Sequence, residues 1–266
     1  MSKSLAQSAR KRFGQNFLID GQVIDAIIAS VAAKADDLLV EIGPGHGAIT
    51  EGLFASECDL TLIELDRDLI PGLIASFVSK APERCRLVNQ DVLKVDFAPF
   101  GAPLRVVGNL PYNISTPLLF KLLELGPQIQ DIHVMLQHEV VKRICAAPGN
   151  SAYGRLGVMI QATSDVEPLI DVPPDAFAPA PKVDSGVIRI VPNAEKAARI
   201  AHPKVLERLV RMAFAQRRKT LRNNLKDLPP EIQLEAFDID PSARPETLSV
   251  ETYVTLANAL TQLETF

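Results

Sequence analysis

Val106 and Val107 lead into Gly108-Asn109-Leu110-Pro111-Tyr112, a β-branched run that ends in a glycine and passes at once to an amide, a proline and an aromatic ring. That order sets a polar side chain, a backbone carbonyl and a flat stacking surface at the tip of a strand. Such a trio suits a flat nitrogenous ring whose exocyclic amine must be held still. A second group, Glu41-Ile42-Gly43-Pro44-Gly45-His46-Gly47, follows another predicted strand and opens a helix. Glycines there let a ligand approach the backbone, and the helix start offers free N–H groups. The run through Ala48 also satisfies the dinucleotide fingerprint, with Glu64 about where a ribose-binding acid belongs. On these residues alone a nicotinamide cofactor and S-adenosylmethionine stand level.

Three features separate them. Glu41 brings negative charge to the loop, which suits an ammonium or sulfonium ligand better than a pyrophosphate. Asp91, after the third predicted strand, offers an acceptor to an adenine amine. The Asn109–Tyr112 group has no task in hydride transfer. It does have one in methyl transfer to an adenine amine, whose lone pair is delocalised into the ring. The Asn109 side-chain oxygen and the Leu110 or Pro111 carbonyl are expected to accept its N–H bonds and turn the lone pair out of the ring plane. A base that reacts at an exocyclic atom must leave its stack. Tyr112 is therefore expected to stack on it, and Phe177 to cover its other face. The plainer alternatives are a half-buried turn tyrosine, a core phenylalanine under a proline-rich loop and, for Lys182, a solvated lysine rather than a phosphate contact. Ser185 reads as an ordinary strand residue, and no Ser/His/Asp arrangement stands out.

The elements that must position these groups alternate in type. Helices are predicted over about 22–33 (with Asp20 as N-cap), 48–56, 67–78, 138–146 and 154–163, and one starting at Ser115-Thr116-Pro117. Strands are predicted at 38–42, 60–63, 86–89, 104–107 and 132–136, with 166–172 and 183–191 as an antiparallel pair. Phe177 to Lys182 is too proline-rich for a sheet interior. Alternation of this kind implies a doubly wound α/β sheet whose ligands bind beyond the carboxyl ends of its strands. After Pro192 only helices are predicted, over about 200–216, 218–226, 230–237 and 249–262. The expected division is a Rossmann-like domain over 1–192, with a basic segment at 1–19, and a helical domain over 193–266.

Of the 266 residues 47% are hydrophobic, enough for a substantial core. No apolar run reaches the roughly 18 residues of a membrane span. Three scattered cysteines and four unclustered histidines argue against a metal site and for a reducing compartment. Net charge is −4, yet its distribution is uneven. Residues 1–19 hold Lys3, Arg10, Lys11 and Arg12 and no acid, and 208–226 hold seven bases and no acid. The first of these stretches has the composition of a transit peptide, but Phe13-Gly14-Gln15-Asn16-Phe17-Leu18 reads as binding sequence. The second, with Arg217, Arg218, Lys219 and Arg222, can track RNA phosphates.

Gly14-Gln15-Asn16-Phe17-Leu18, Glu41-Ile42-Gly43-Pro44-Gly45, Glu64-Leu65-Asp66, Asn109-Leu110-Pro111-Tyr112-Asn113 and Pro181-Lys182-Val183-Asp184-Ser185 follow in one order. In this the chain resembles the ribosomal RNA adenine N6,N6-dimethyltransferases, most of all those of the small subunit. The resemblance implies an S-adenosylmethionine-dependent Rossmann-like sheet with a small helical C-terminal domain. It implies cofactor contacts from Asn16, Leu18, Glu41, Gly43, Gly45, Glu64 (ribose), Leu65, Asp91 (adenine), Val92 and Asn109, and a reaction site of Asn109, Leu110, Pro111, Tyr112 and Phe177. RNA contacts are expected from Arg10, Lys11, Arg12, Lys182, Arg217, Arg218, Lys219 and Arg222. The implied substrate is a pair of adjacent adenosines in the 3′-terminal hairpin loop of small-subunit (16S) ribosomal RNA, presented by an immature small subunit. The implied enzyme is a cytoplasmic monomer without metal or membrane. His138 stands where lysine is expected. The alternatives are a large-subunit RNA dimethyltransferase, a DNA adenine methyltransferase and an assembly factor with little catalysis.

Overall fold

The computed structural model describes residues 15–263. Arg10, Lys11 and Arg12 lie outside them. Contacts divide the chain into two compact units, one of residues up to Val141 together with Glu167–Pro192, the other of Lys142–Val166 together with Asn193 onward.

The first unit opens with β1 (Phe17–Leu18) and α1 (Gly21–Val31). Asp20 caps α1 as expected, its carboxylate accepting from the Gln22 and Val23 N–H groups. Then come β2 (Leu38–Ile42), α2 (Thr50–Ala55), β3 (Asp59–Ile63), α3 (Ile70–Ser76), β4 (Cys85–Val88), β5 (Leu104–Asn109), α4 (Ser115–Glu124) and β6 (Ile129–Gln137). The strands are near-continuous apolar runs because a parallel sheet is covered on both faces. After α5 (His138–Cys145) and α6 (Arg155–Gln161), the chain returns through β7 (Ser164–Val172), β8 (Phe177–Ala178) and β9 (Ser185–Pro192). Among the described residues the main sheet has seven strands in the order β4-β3-β2-β5-β6-β9-β7.

Register places the motifs together. Ile42 stands beside both Ile63 and Gly108, so the loops after β2, β3 and β5 leave the sheet at one edge. Gly108 is needed there, since a Cβ at this position would lie 2.6 Å from the Ile42 carbonyl oxygen. β9 runs antiparallel to β6, which sets Ser185, at its start, opposite Gln137 at the end of β6. One expectation needs correction. Phe177 and Ala178 are not plain loop but pair with Leu18 and Phe17 in a separate two-stranded sheet. Only two residues are needed for that bridge, so the prolines that follow do not prevent it.

In the second unit, α7 (Ala194–Ala198), α8 (Pro203–Ala213), α9 (Leu221–Asn224) and α10 (Val250–Thr261) surround an apolar cluster that includes Leu206, Leu209, Tyr253 and Leu256. Tyr153, Val158 and Ala162 belong to the same cluster. Residues 142–166, expected with the sheet, therefore group with the later helices, because the apolar side of α6 is buried there. The helix predicted over 230–237 is a single 3-10 turn, Leu234–Phe237, following Pro229-Pro230.

Candidate active site

The carboxyl edge of β2, β3 and β5 opens into a cleft of about 260 Å³. Asn16, Leu18, Glu41, Gly43, Gly45, Glu64, Leu65, Asp91, Asn109, Leu110, Pro111 and Tyr112 all line it. The residues expected from their types or implied by the resemblance thus meet around one cavity, although up to 96 positions separate them in the chain.

One side of the cleft is acidic and already paired. Glu41, at the end of β2, is 2% exposed and accepts a 2.6 Å hydrogen bond from the Thr50 hydroxyl. Burial pushes its carboxyl up to about 7, the Thr50 bond opposing and the Glu64 charge adding to the rise. Glu64 accepts from the Asp66 N–H at 2.8 Å and the Gly45 N–H at 3.2 Å. Its pKa is raised by desolvation, against the pull of those backbone bonds. Gly43 and Gly45 have φ of +68° and +62°, values that L side chains rarely adopt. At Gly45 a Cβ would also stand 3.1 Å from the Phe17 ring. Buried carboxylates beside an open glycine backbone favour a ligand that carries positive charge and needs close main-chain approach. The donor set fits S-adenosylmethionine on both counts.

The other side carries the amide and the ring. The Asn109 Nδ2 donates to the Asn16 carbonyl at 3.1 Å. A carbonyl can only accept, so this bond determines which way the amide faces and directs Oδ1 elsewhere as an acceptor. The Pro111 carbonyl accepts from the Ile114 N–H at 3.1 Å, within the turn that starts α4. Of the two candidate carbonyls, Leu110 is then the better second acceptor. Tyr112 is half-buried, and its hydroxyl shares a 2.8 Å hydrogen bond with the Ser185 hydroxyl.

The side chains of two expected site residues do not line the cleft. Phe177 is outside the cleft lining; it is 4% exposed and belongs to the core cluster of Leu18, Leu39 and Leu62. Pairing of β8 with β1 turns this ring inward, so the core alternative describes it. The Val92 side chain is also buried, between Asp91 and Leu93, which line the cleft, in a 3-10 turn over Val92–Lys94. Gln15, His46 and Asp66 line the cleft without having been singled out as site residues. Gln15 donates to Asp66 at 3.0 Å, and the Phe17 and His46 rings lie 4.4 Å apart, so the segment before α1 is held to both acidic loops. The Gly14–Leu18 motif already marked that segment. Ser185 was visible in a motif, but nothing local tied it to Tyr112.

Lys182 is exposed, on the loop before β9. In the second unit Arg217, Arg218, Lys219 and Arg222 are exposed around the turn from α8 to α9. Asn224 holds that turn, its amide nitrogen donating to the Ala213 and Gln216 carbonyls at 2.7 and 3.1 Å. Arg217 also bonds the Ser151 carbonyl. Among the described residues no group of three or more His, Cys, Asp or Glu is placed to hold a metal, and no helix is long and apolar enough to cross a membrane.

Residues 6–262 match the family model for ribosomal RNA adenine dimethylase. The chain is 55% identical over 255 residues, 95% of its length and 94% of the relative's, to the ribosomal RNA small subunit methyltransferase A of Saccharophagus degradans. The crystal structure of a dimethyladenosine transferase from Plasmodium falciparum superposes with a TM-score of 0.81 at 24% identity, covering 92% of this chain and 98% of that one. That of the 23S rRNA methyltransferase ErmE gives 0.74 at 27% identity, covering 93% and 100%.

Proposed function

The chain belongs to the ribosomal RNA adenine dimethylase family, and from that premise we propose that it dimethylates two adjacent adenosines in the 3′-terminal hairpin loop of small-subunit ribosomal RNA. It is an S-adenosylmethionine-dependent methyltransferase, and its substrate is ribosomal RNA. Identity of 55% to a small-subunit enzyme, against 27% to a 23S enzyme, supports the choice of subunit. Buried free Cys58 and Cys85 suit a reducing cytoplasm, where the enzyme acts as a monomer.

When bound, S-adenosylmethionine supplies an electrophilic methyl group on a positive sulfonium. Glu64 would hold its ribose hydroxyls, Asp91 its adenine amine, and Gly43, Gly45 and Glu41 its methionine part; Asn16, Leu18 and Leu65 would cover it. The observation that carries the reading is the orientation of Asn109. With its nitrogen engaged by Asn16, its oxygen is left to accept an N–H of the target amine. The Leu110 carbonyl accepts the second. Two acceptors outside the base plane draw the nitrogen lone pair out of conjugation, and Tyr112 holds the splayed base flat. No strong base is needed, because the nitrogen becomes acidic only after it has been methylated. Holding the reactants in line contributes up to roughly 7–11 kcal/mol in favourable cases. The Arg217–Arg222 turn and Lys182 contact phosphates.

The test is methyl transfer from labelled S-adenosylmethionine to immature small subunits, to large subunits and to DNA, with the products digested to nucleosides. Dimethyladenosine from small subunits alone, abolished by Asn109→Ala, is the expected result. Label in large-subunit RNA or DNA would move the substrate, and no transfer with cofactor still bound would favour an assembly factor.

A further inference from the structure

Lys121 belongs to none of the motifs and does not line the cleft, yet it joins two of the cleft's walls. It lies on α4, the helix that starts three residues after Tyr112. Its Nζ donates to the Val95 carbonyl at 2.6 Å, the Leu93 carbonyl at 2.8 Å and the Val92 carbonyl at 3.3 Å. An ammonium has three N–H donors and no acceptor, so one turn of chain takes up all of them. The same nitrogen stands 5.5 Å from the centre of the Phe97 ring.

That turn is the one Asp91 caps. The Asp91 carboxylate accepts from the Leu93 N–H at 3.0 Å, and its carbonyl accepts from the Lys94 N–H at 2.8 Å. Asp91 and Leu93 both line the cleft. Carbonyl groups gathered around one point repel each other, and a cation there turns that repulsion into attraction. Without the ammonium, the Val92 carbonyl keeps only the long 3.3 Å bond from the Val95 N–H, nothing comparable gathers it with the Leu93 and Val95 carbonyls towards α4, and the direction of the Asp91 side chain is set by its own cap bond.

We propose that Lys121 is a positioning residue for adenine recognition: by gathering three carbonyls of the turn after β4 it aims Asp91 at the 6-amino group of the cofactor and so sets how sharply adenosine is preferred to inosine. The proposal rests on the reading of Asp91 as the adenine acceptor.

The experiment measures equilibrium binding of S-adenosylhomocysteine and of its inosine counterpart, in which a carbonyl replaces the amine, to the full-length protein. Wild type prefers the adenosine compound. Lys121→Met is expected to lower that preference about tenfold, the scale of one charge-assisted hydrogen bond, and Asp91→Asn to lower it similarly. The double variant should lose no more than either alone, since both changes remove one interaction. If Lys121→Met does not fold, Lys121→Leu, which also removes every donor, is read the same way. An unchanged preference in a Lys121 variant, even one with a lower Tm or weaker binding of both compounds, overturns the proposal and leaves a merely structural lysine. A wild type that binds both compounds equally overturns the role of Asp91 and the proposal with it. A wild type that binds neither overturns the cofactor reading itself, and the proposal falls with it.

Discussion

The two sides of the cleft are built differently. On the cofactor side the carboxylates of Glu41 and Glu64 are nearly sealed from solvent, at 2% and 6% exposure, and both already hold hydrogen bonds. On the acceptor side Asn109 and Tyr112 are half-buried, and each is held through one side-chain hydrogen bond, to the Asn16 carbonyl and to the Ser185 hydroxyl. The first side suits a small ligand that is the same at every turnover. The second must admit a base drawn out of an RNA loop, so its groups are aimed and then left reachable. Tight pairing serves affinity, and sparse, directional pairing serves alignment.

Removing Asn109 gives the largest separation of the two. Asn109→Ala is expected to lower turnover by a factor of about 10²–10³, the scale seen when one group stabilising a transition state is removed. Calorimetry should find S-adenosylmethionine binding nearly unchanged; an equal loss of cofactor affinity would erase the distinction between the sides. Glu64→Ala does the reverse. Loss of a charge-assisted hydrogen bond of about 1.5–3 kcal/mol weakens cofactor binding by about 10- to 150-fold, with KM for the ribosomal particle unaffected.

On the cofactor side the pH dependence centres on Glu41. The carboxyl of Glu41 is raised from 4.5 to about 7, chiefly by burial. Between those values the folded protein holds a proton that the unfolded chain has released. The contribution of Glu41 to the stability of the ligand-free protein therefore falls as pH rises through this window, against the opposite contribution of buried His133, whose pKa is lowered by desolvation. A cationic ligand prefers the ionised carboxylate, so its affinity should rise from pH 6 to pH 8, by at most about tenfold. Glu41→Gln should flatten the affinity profile, read by calorimetry, and remove the falling contribution to stability, read by thermal melts; an affinity slope that survives the substitution assigns it to another group.

The smallest effect tests the acceptor side. Ser185→Ala and Tyr112→Phe each remove one neutral hydrogen bond, worth about 0.5–1.5 kcal/mol. Each should lower kcat by about two- to tenfold, with no change in cofactor affinity. The double variant should match the singles, since the two hydroxyls share one bond. Additive losses would mean that the ring is not held by Ser185.

Much of this was legible from residues alone. Apolar runs ending at Ile42, Ile63 and Val107 mark buried parallel strands. Asp20 marks the start of α1, and the glycine loop with Glu41 and Glu64 marks the cofactor side, because each depends on residues close in the chain or on a topology that strand alternation implies. From residues alone Phe177 reads as a cover for the base, because a proline-rich segment hides which way its side chains turn. Residues 142–166 fall with the sheet by chain order, because nothing in their own pattern shows which core they enter.

By itself, then, the amino-acid order determined the alternating architecture, the cofactor loop, the Asn109–Tyr112 group and the family. These rest on local propensity and short-range spacing, which a chain carries with it before it folds. Only the tertiary structure decided that Asn16 orients Asn109 across 93 residues, that Ser185 meets Tyr112 across 73, and that Lys121 gathers the turn beyond Asp91. Such bonds exist only once the strand register and the antiparallel β9 bring distant edges together. A single hydroxyl or ammonium leaves no periodic trace by which its partner can be read in advance.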